Sequence, residues 1–135
     1  MGVRTYPERI RVEDPKLIDG KIYYTVKAFD KVGQYTCEKR YNDFFLLHEW
    51  LVQRYEGLYI PDIPPKRAMG NKDNKFIEER RFLLQEFLVN LSKHSYLWKS
   101  DEFTAWSRTT YTHDLMNNLK MKQKRDRLAQ QIQND

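Results

Sequence analysis

Several features that identify common protein classes are scarce or missing in this sequence of 135 residues. Its single cysteine, Cys37, excludes a disulfide framework and a zinc site built from cysteines. No stretch approaches the roughly 18 apolar residues that a membrane-spanning helix needs. No glycine-rich phosphate loop is present, so a nucleotide site is not predicted. The N-terminus lacks the apolar segment of a signal peptide, and we therefore expect a cytoplasmic location.

Positive charge is plentiful and is concentrated in three blocks. Lys and Arg number 24 and Asp and Glu number 19, so the formal net charge is +5. Residues 1–41, 66–81 and 120–135 each carry a net charge of +3, whereas residues 42–65 carry −3. A basic balance indicates an anionic partner, either a nucleic acid or a membrane surface.

The first 40 residues contain three segments with the pattern of β-strands. Arg9–Glu13 alternates weakly, Ile22–Phe29 is rich in β-branched and aromatic residues, and Gln34–Arg40 follows a short turn. Turn residues at Asp14-Pro15 and Asp19-Gly20 separate the first two segments. Short connections of this kind predict an antiparallel meander.

Helical spacing of apolar residues begins after the third strand. We predict a helix over Asp43–Tyr55 with Asn42 as its N-cap, and a second, clearer helix over Lys75–Ser92. Shorter helices are predicted around Tyr96–Trp106, and a polar helical tail over Thr112–Gln133. The fold class is therefore α+β: a three-stranded antiparallel β-meander packed on a helical subdomain, with a proline-rich loop between the first two main helices.

Arg80 lies on the apolar face of the second predicted helix. At about 100° per residue it falls between Phe87 and Leu91, on the face that also carries Leu84 and Ile77. A guanidinium cannot lose its proton, so its burial requires an anion or other acceptors. An internal ion pair, a side chain that reaches solvent and an external anionic ligand all remain open from this pattern alone.

Three short motifs follow one another in a specific order. Arg40–Phe44 joins the third strand to the first helix, where basic residues beside a helix N-terminus favour anion binding. Ile63–Lys66 contains the proline pair, and Phe76–Arg80 begins the second helix. Together they resemble the three signatures of a phox homology (PX) domain of the sorting-nexin type, and the resemblance covers roughly residues 7–108.

The resemblance implies a phosphoinositide-binding module, most often for phosphatidylinositol 3-phosphate. By analogy with the family, Arg40 holds the 3-phosphate and Tyr41 packs against the inositol ring. Lys66 contacts the 1-phosphate, and Arg80 contacts the hydroxyls at positions 4 and 5.

A membrane-contact loop is also implied after the proline segment, formed by Arg67, Met69, Lys72 and Lys75. With few apolar residues in this loop, we expect shallow insertion and attraction of about 1 kcal/mol per cation near an anionic leaflet. Lys39 is expected to point away from the headgroup pocket and to meet the membrane only electrostatically.

The predicted domain organisation is a PX-like domain over residues 1–108 and a helical basic tail over residues 109–135. By resemblance to sorting nexins, the tail is the start of a further helical region through which homo- or hetero-oligomers form. The expected role is vesicular trafficking or sorting, peripherally on endosomal membranes. The alternative is a PX-fold protein-interaction domain with weak or no lipid selectivity, in which the proline pair binds an SH3-type domain or is only a structural turn.

Other functional classes are not favoured. Most aromatic residues have core-like spacing and no nucleic-acid motif is present, so no nucleic-acid partner is predicted. Cys37 has no positioned base, and the three histidines do not pair at metal-ligand spacing. We therefore predict no enzyme activity, no cofactor, no metal and no small-molecule substrate.

Overall fold

The described strands form one three-stranded antiparallel sheet, as predicted. The computed structural model describes residues 9–67, 73–109 and 112–134. Strands β1 (Arg11–Ile18), β2 (Lys21–Phe29) and β3 (Gln34–Arg40) lie in the order β1-β2-β3. In this meander the β1–β2 turn and the end of β3 lie at the same end of the sheet, since Ile18 pairs with Lys21 and Tyr23 pairs with Arg40.

Strand β1 differs from its predicted extent. The Asp14-Pro15 pair, predicted as a turn, lies inside β1, where the register with β2 shifts between Glu13 and Lys16. Two residues there oppose one on β2, and Asp14 has a positive φ of 52°, as in a bulge. A proline is tolerated in this strand because β1 is at the edge of the sheet. The strand therefore continues to Ile18 rather than ending at Glu13.

Five helices follow the sheet in the described ranges. They are α1 (Tyr41–Arg54), α2 (Asn74–Ser92), α3 (Ser95–Trp98), α4 (Asp101–Arg108) and α5 (Thr112–Asn134). The proline-rich segment lies between α1 and α2, so the predicted fold class is confirmed. Helix α5 contacts α1, and the division of the chain at residue 108 stays a prediction. No helix within the described ranges is long and apolar enough to cross a bilayer.

The core lies between one face of the sheet and the helices. Val12, Tyr24 and Val26 on the sheet are at most 1% exposed. They pack in one cluster with residues from the helices, which include Phe44, Leu47, Leu84, Phe87, Leu88, Phe103 and Trp106. Each fully buried aliphatic or aromatic side chain of this kind contributes about 1.5–3 kcal/mol, so this cluster fixes the sheet against α1 and α2.

Helix α1 begins earlier than predicted. Arg40 is the N-cap, and the carboxylate of Asp43, the third helical residue, accepts the backbone N–H of Arg40 at 2.7 Å. The prediction of Asn42 as the N-cap is therefore wrong. Because β3 runs directly into α1 without a loop, the helix begins at Tyr41, and Asn42 lies in its first turn.

Lys39 is part of the core and not of a membrane surface. Its side chain is fully buried and donates to the Trp106 carbonyl oxygen at 2.7 Å, to the Thr109 carbonyl oxygen, and to Thr112 Oγ1 at 3.3 Å. Burial lowers the pKa of Lys39 from its ordinary value. Lys39 points away from the pocket as expected, but the predicted membrane role is wrong because its ammonium binds the chain between α4 and α5.

The β2–β3 turn, at the opposite end of the sheet from the β1–β2 turn, is held by a network centred on Asp30. This buried carboxylate accepts from Ser107 Oγ at 2.6 Å and from Arg108 Nε and Nη2 at 2.9 and 2.8 Å. It also accepts the backbone N–H groups of Val32 and Gly33. Burial opposes ionisation of Asp30, but these hydrogen bonds outweigh it and hold the pKa of its carboxyl well below the ordinary value.

Candidate anion-binding site

An open cavity of about 420 Å³ lies where β3 runs into α1. Four separate segments form its walls: the β1–β2 turn, the β3–α1 junction, the end of the proline segment and α2. The residues that line it are Gly20, Lys21, Ile22, Tyr24, Arg40, Tyr41, Asn42, Lys66, Arg67 and Arg80. The fold thus places all four residues of the predicted headgroup site around one cavity.

The cavity concentrates positive charge. Five of its described lining residues are cations and none is a carboxylate. Within the described ranges, Lys21, Arg40 and Lys66 form no ion pair. Like charges gathered around one cavity focus a positive potential on it. It can therefore attract an anion.

Arg80 is the most buried of these cations, with only 8% of its surface exposed. Its Nη2 donates to the Pro65 carbonyl oxygen at 3.1 Å, and its Nε is buried without a hydrogen-bond partner. No described carboxylate pairs with it, so the internal ion pair that the sequence left open does not form there. Burial lowers the pKa of Arg80, but a guanidinium remains charged at any physiological pH. Arg80 thus retains donor capacity for a ligand.

Two aromatic rings hold the Arg80 guanidinium in place. Its Cζ lies 3.9 Å from the centroid of the Tyr41 ring and 4.5 Å from that of Phe76. The Tyr41 hydroxyl donates to the Pro64 carbonyl oxygen, which fixes the ring at the cavity wall. Burial raises the pKa of Tyr41 above its ordinary value, so the hydroxyl stays a neutral donor. Stacked arginines keep their planar donors in a fixed orientation.

Arg40 and Lys66 occupy two further walls. Arg40 is half-buried at the N-terminus of α1, with its Cζ 5.9 Å from the Tyr23 ring centroid. Free backbone N–H groups in the first helical turn add to its positive potential. Lys66 is exposed, and its Nζ lies 4.0 Å from the centroid of the Phe45 ring. Aromatic contacts therefore position both cations without neutralising their charge.

The predicted membrane-contact loop is only partly described. Arg67 lines the cavity, and its Cζ lies 4.5 Å from the Phe76 ring centroid. Lys75 is exposed in the first turn of α2. Met69 and Lys72 lie outside the described residues. Arg67 thus belongs to the wall of the cavity, and the membrane contact of all four residues stays a prediction.

Sequence reasoning missed one wall of the cavity. Lys21, Ile22 and Tyr24 on β2 line it, and so does Asn42 in the first turn of α1. The signal was present in the predicted meander, because its topology brings the first turn to the end of the sheet where β3 finishes. Lys21 could have been placed beside Arg40 on that basis.

The fold and the cavity define a small α+β domain with a cavity lined by cations. The family model of the PX domain matches residues 27–106, which is more than half of the chain. The chain therefore belongs to the PX domain family. No group of three or more His, Cys, Asp or Glu side chains that could hold a metal ion occurs in the part of the chain that the structure describes.

Curated relatives of this chain are sorting proteins. It is 41% identical over 66 residues to vacuolar protein sorting-associated protein vps5 of Schizosaccharomyces pombe, covering 49% of this chain and 12% of that protein. It is 36% identical over 93 residues to sorting nexin MVP1 of Saccharomyces cerevisiae, covering 61% and 18%. It is 37% identical over 82 residues to human sorting nexin-8, covering 61% and 17%. The resemblance to sorting-nexin PX domains is thus confirmed, and the chain spans less than a fifth of the length of these relatives.

A solved structure shares the same fold. The X-ray structure of a designed CISK-PX domain superposes with a TM-score of 0.65 at 23% identity, covering 74% of this chain and 98% of that one. At this level of identity the similarity supports the architecture of the sheet and helices.

Proposed function

We propose that this chain is a phosphoinositide-binding module that targets membranes and selects phosphatidylinositol 3-phosphate. One observation carries the proposal: Arg80 is buried with an Nε that has no hydrogen-bond partner, at a cavity where Lys21, Arg40 and Lys66 also form no ion pair with a described residue. A phosphorylated inositol headgroup supplies the missing acceptors.

Each cavity residue has a chemical role in this proposal. Arg40, beside the N-terminus of α1, forms paired hydrogen bonds with the 3-phosphate, which suits a planar guanidinium. Tyr41 packs its ring against the C–H groups of inositol. Lys66 acts as a point charge on the 1-phosphate at the mouth of the cavity. Arg80 donates to the 4- and 5-hydroxyls, and free hydroxyls suit its fixed position between two rings.

The cellular role is proposed from the relatives. Their names describe sorting nexins and a vacuolar protein sorting factor. We therefore propose that the module brings a longer trafficking protein to endosomal membranes, where it binds peripherally. A single headgroup site binds modestly, so oligomers formed through further helical regions would raise the overall avidity.

Vesicle pelleting tests the proposal. Vesicles of matched net charge carry either phosphatidylinositol 3-phosphate, another monophosphorylated phosphoinositide, or phosphatidylserine alone. We expect selective pelleting with the 3-phosphate lipid and loss of that selectivity in Arg40→Ala. Arg11→Ala is the matched control, because Arg11 is an exposed arginine on β1 outside the cavity. Equal pelleting with all anionic vesicles, lost at moderate salt, would contradict the proposal.

A further inference from the structure

Four aromatic rings meet at the surface where α1 and α2 end. They belong to Tyr55, Tyr59, His94 and Tyr96, and we call this set the aromatic cluster. Tyr59 is 63% exposed and Tyr96 is 38% exposed. We propose that the aromatic cluster is a docking site for a proline-rich segment of a partner protein, bound in the polyproline II conformation. The inference goes beyond the proposed function and does not rest on it.

Two helices separate the aromatic cluster from the cavity. Tyr41, the first residue of α1, and Arg80 of α2 line the cavity. Tyr55 follows the last of the 14 residues of α1, and His94 follows the C-cap of α2. At 1.5 Å per residue, α1 is about 21 Å long. A partner that binds the aromatic cluster therefore leaves the cavity open.

The rings of the cluster stand at steep angles to one another. The ring centroids of Tyr59 and His94 are 5.3 Å apart, with an interplanar angle of 63°. Those of His94 and Tyr96 are 5.6 Å apart at 55°, and those of Tyr55 and Tyr96 are 6.2 Å apart at 65°. Rings set edge against face leave shallow grooves between them on their exposed side. Aromatic-lined grooves of this kind receive proline-rich segments, whose preformed polyproline II helix packs between the rings.

Hydrogen bonds hold the cluster in a defined shape. The Tyr96 hydroxyl donates to the Tyr59 backbone carbonyl oxygen at 2.5 Å, which ties α3 to the segment after α1. The Tyr55 hydroxyl donates to Glu102 Oε2 at 3.1 Å, and the same carboxylate pairs with Arg54 Nε at 3.0 Å. Because these tyrosine rings are already fixed, little side-chain entropy is lost when a partner binds them.

Two polar groups of the cluster favour a peptide backbone as the ligand. In the part of the chain that the structure describes, neither the Tyr59 hydroxyl nor the His94 imidazole forms a hydrogen bond. A polyproline II segment has no internal hydrogen bonds, so its carbonyl oxygens can accept from such donors. An amphipathic helix uses its carbonyl oxygens internally and would leave these donors without a partner. Exposed rings beside unused donors therefore favour an extended, proline-rich ligand.

Titration of a decaproline peptide into the isotope-labelled chain tests the inference by nuclear magnetic resonance. A glycine–serine peptide of the same length is the control ligand. We expect saturable changes in the backbone amide signals of Tyr59, His94 and Tyr96 with decaproline only. The amide signal of Arg40, in the cavity, should not change with either peptide.

Variants of Tyr59 separate the roles of its ring and its hydroxyl. Tyr59→Ala should weaken decaproline binding about tenfold or more, as expected for a tyrosine anchor of an interface. This variant retains the backbone carbonyl that accepts the Tyr96 hydroxyl, so the fold should be kept. Tyr59→Phe should lose about fivefold, because only one hydrogen bond is removed.

Phe82→Ala is the matched control for these variants. Phe82 is 51% exposed on α2 and is not part of the aromatic cluster. Its replacement removes an accessible aromatic ring of similar size from another surface. The Phe82→Ala variant should therefore bind decaproline as tightly as the unmodified chain.

Specific outcomes would overturn the inference. Absence of saturable signal changes with millimolar decaproline, equal changes with the glycine–serine peptide, or an equal loss of affinity in Phe82→Ala would each do so. Sedimentation of the unmodified chain tests a different occupant. A dimer that Tyr59→Ala dissociates would show that the aromatic cluster binds a second copy of this chain and not a proline-rich partner.

Discussion

At one end of the sheet, the β2–β3 turn holds Arg108 against the buried carboxylate of Asp30, whereas at the other end five cations line a cavity without a described carboxylate. The first arrangement neutralises its charge within the fold. In the second, aromatic rings lie against Arg40, Lys66 and Arg80, and none of these three pairs with a described carboxylate. The difference separates a cation that is paired within the fold from the cations of the proposed headgroup site.

Basic residues that are adjacent in the chain differ in this respect: one is bound within the fold and the next lines the cavity. Lys39 is buried against the Trp106 carbonyl oxygen, whereas Arg40 lines the cavity. Arg81 donates to the Glu78 carboxylate at 2.7 Å and to the Val12 carbonyl oxygen at 2.9 Å, whereas Arg80 lines the cavity. The role of a basic residue here follows from its partner and not from its place in a basic block.

The largest effect is expected from Arg80. Arg80→Ala should lower affinity for vesicles with phosphatidylinositol 3-phosphate by about 2–5 kcal/mol, or about thirtyfold or more, because it removes a desolvated partner of the headgroup. It should also lower the melting temperature, since two ring contacts are lost. Arg80→Lys should keep the fold but lose most of the affinity. Arg81→Ala, the matched control, should keep the lipid affinity, and a comparable loss of binding there would erase the distinction between the two arginines.

The next largest effect, on stability, is expected at the Asp30 network beside the β2–β3 turn. Asp30→Ala should lower the free energy of unfolding by about 2–3 kcal/mol, because it leaves buried donors without their acceptor. Denaturant titration measures this change. The affinity of the folded protein for the soluble lipid should stay the same, and a parallel loss of affinity would show that the two ends of the sheet are coupled.

Acid should act on the same network. The pKa of Asp30 is lowered in the folded state, so its contribution to stability is complete above the unfolded value of about 3.9 and is lost as pH falls below it. We expect the melting temperature to fall steeply below about pH 4, and to fall less steeply in Asp30→Asn. Identical acid profiles for the two proteins would assign the acid sensitivity to other groups.

The smallest effect is expected at Lys75, outside the cavity. Lys75 is exposed on α2 and does not line the cavity. Lys75→Ala should weaken vesicle binding by about 1 kcal/mol at low salt, because it removes one cation near an anionic surface. The difference should shrink as salt screens the surface. A change in affinity for the soluble lipid would instead place Lys75 in the headgroup site.

Local signals in the sequence predicted most of the fold. The bounds of β3 were predicted as observed, and those of α2 to within one residue, because alternation and helical spacing of apolar residues are strong there. Asp14-Pro15 was misread as a turn, since a bulge in an edge strand uses the same residue types as a turn.

The site was less predictable than the fold. The position of Arg80 on a buried face was predicted from helical spacing alone, whereas the headgroup roles of Arg80, Arg40, Tyr41 and Lys66 required a family resemblance. Lys39 was misassigned because its partner carbonyl belongs to Trp106, 67 positions away, and no local pattern reports such a contact. Lys21 was missed because its place beside Arg40 follows from sheet topology and not from a motif.

One titration tests the division between cavity cations and structural cations most directly. Soluble short-chain phosphatidylinositol 3-phosphate is titrated into the unmodified chain and into the variants Arg40→Ala and Lys39→Met. We predict saturable one-to-one binding to the unmodified chain and to the folded Lys39→Met variant, and none to Arg40→Ala, which should melt near the unmodified temperature. Binding by Arg40→Ala that matches the unmodified chain, or loss of binding in a folded Lys39→Met variant, would contradict the assignment of the cavity as the headgroup site.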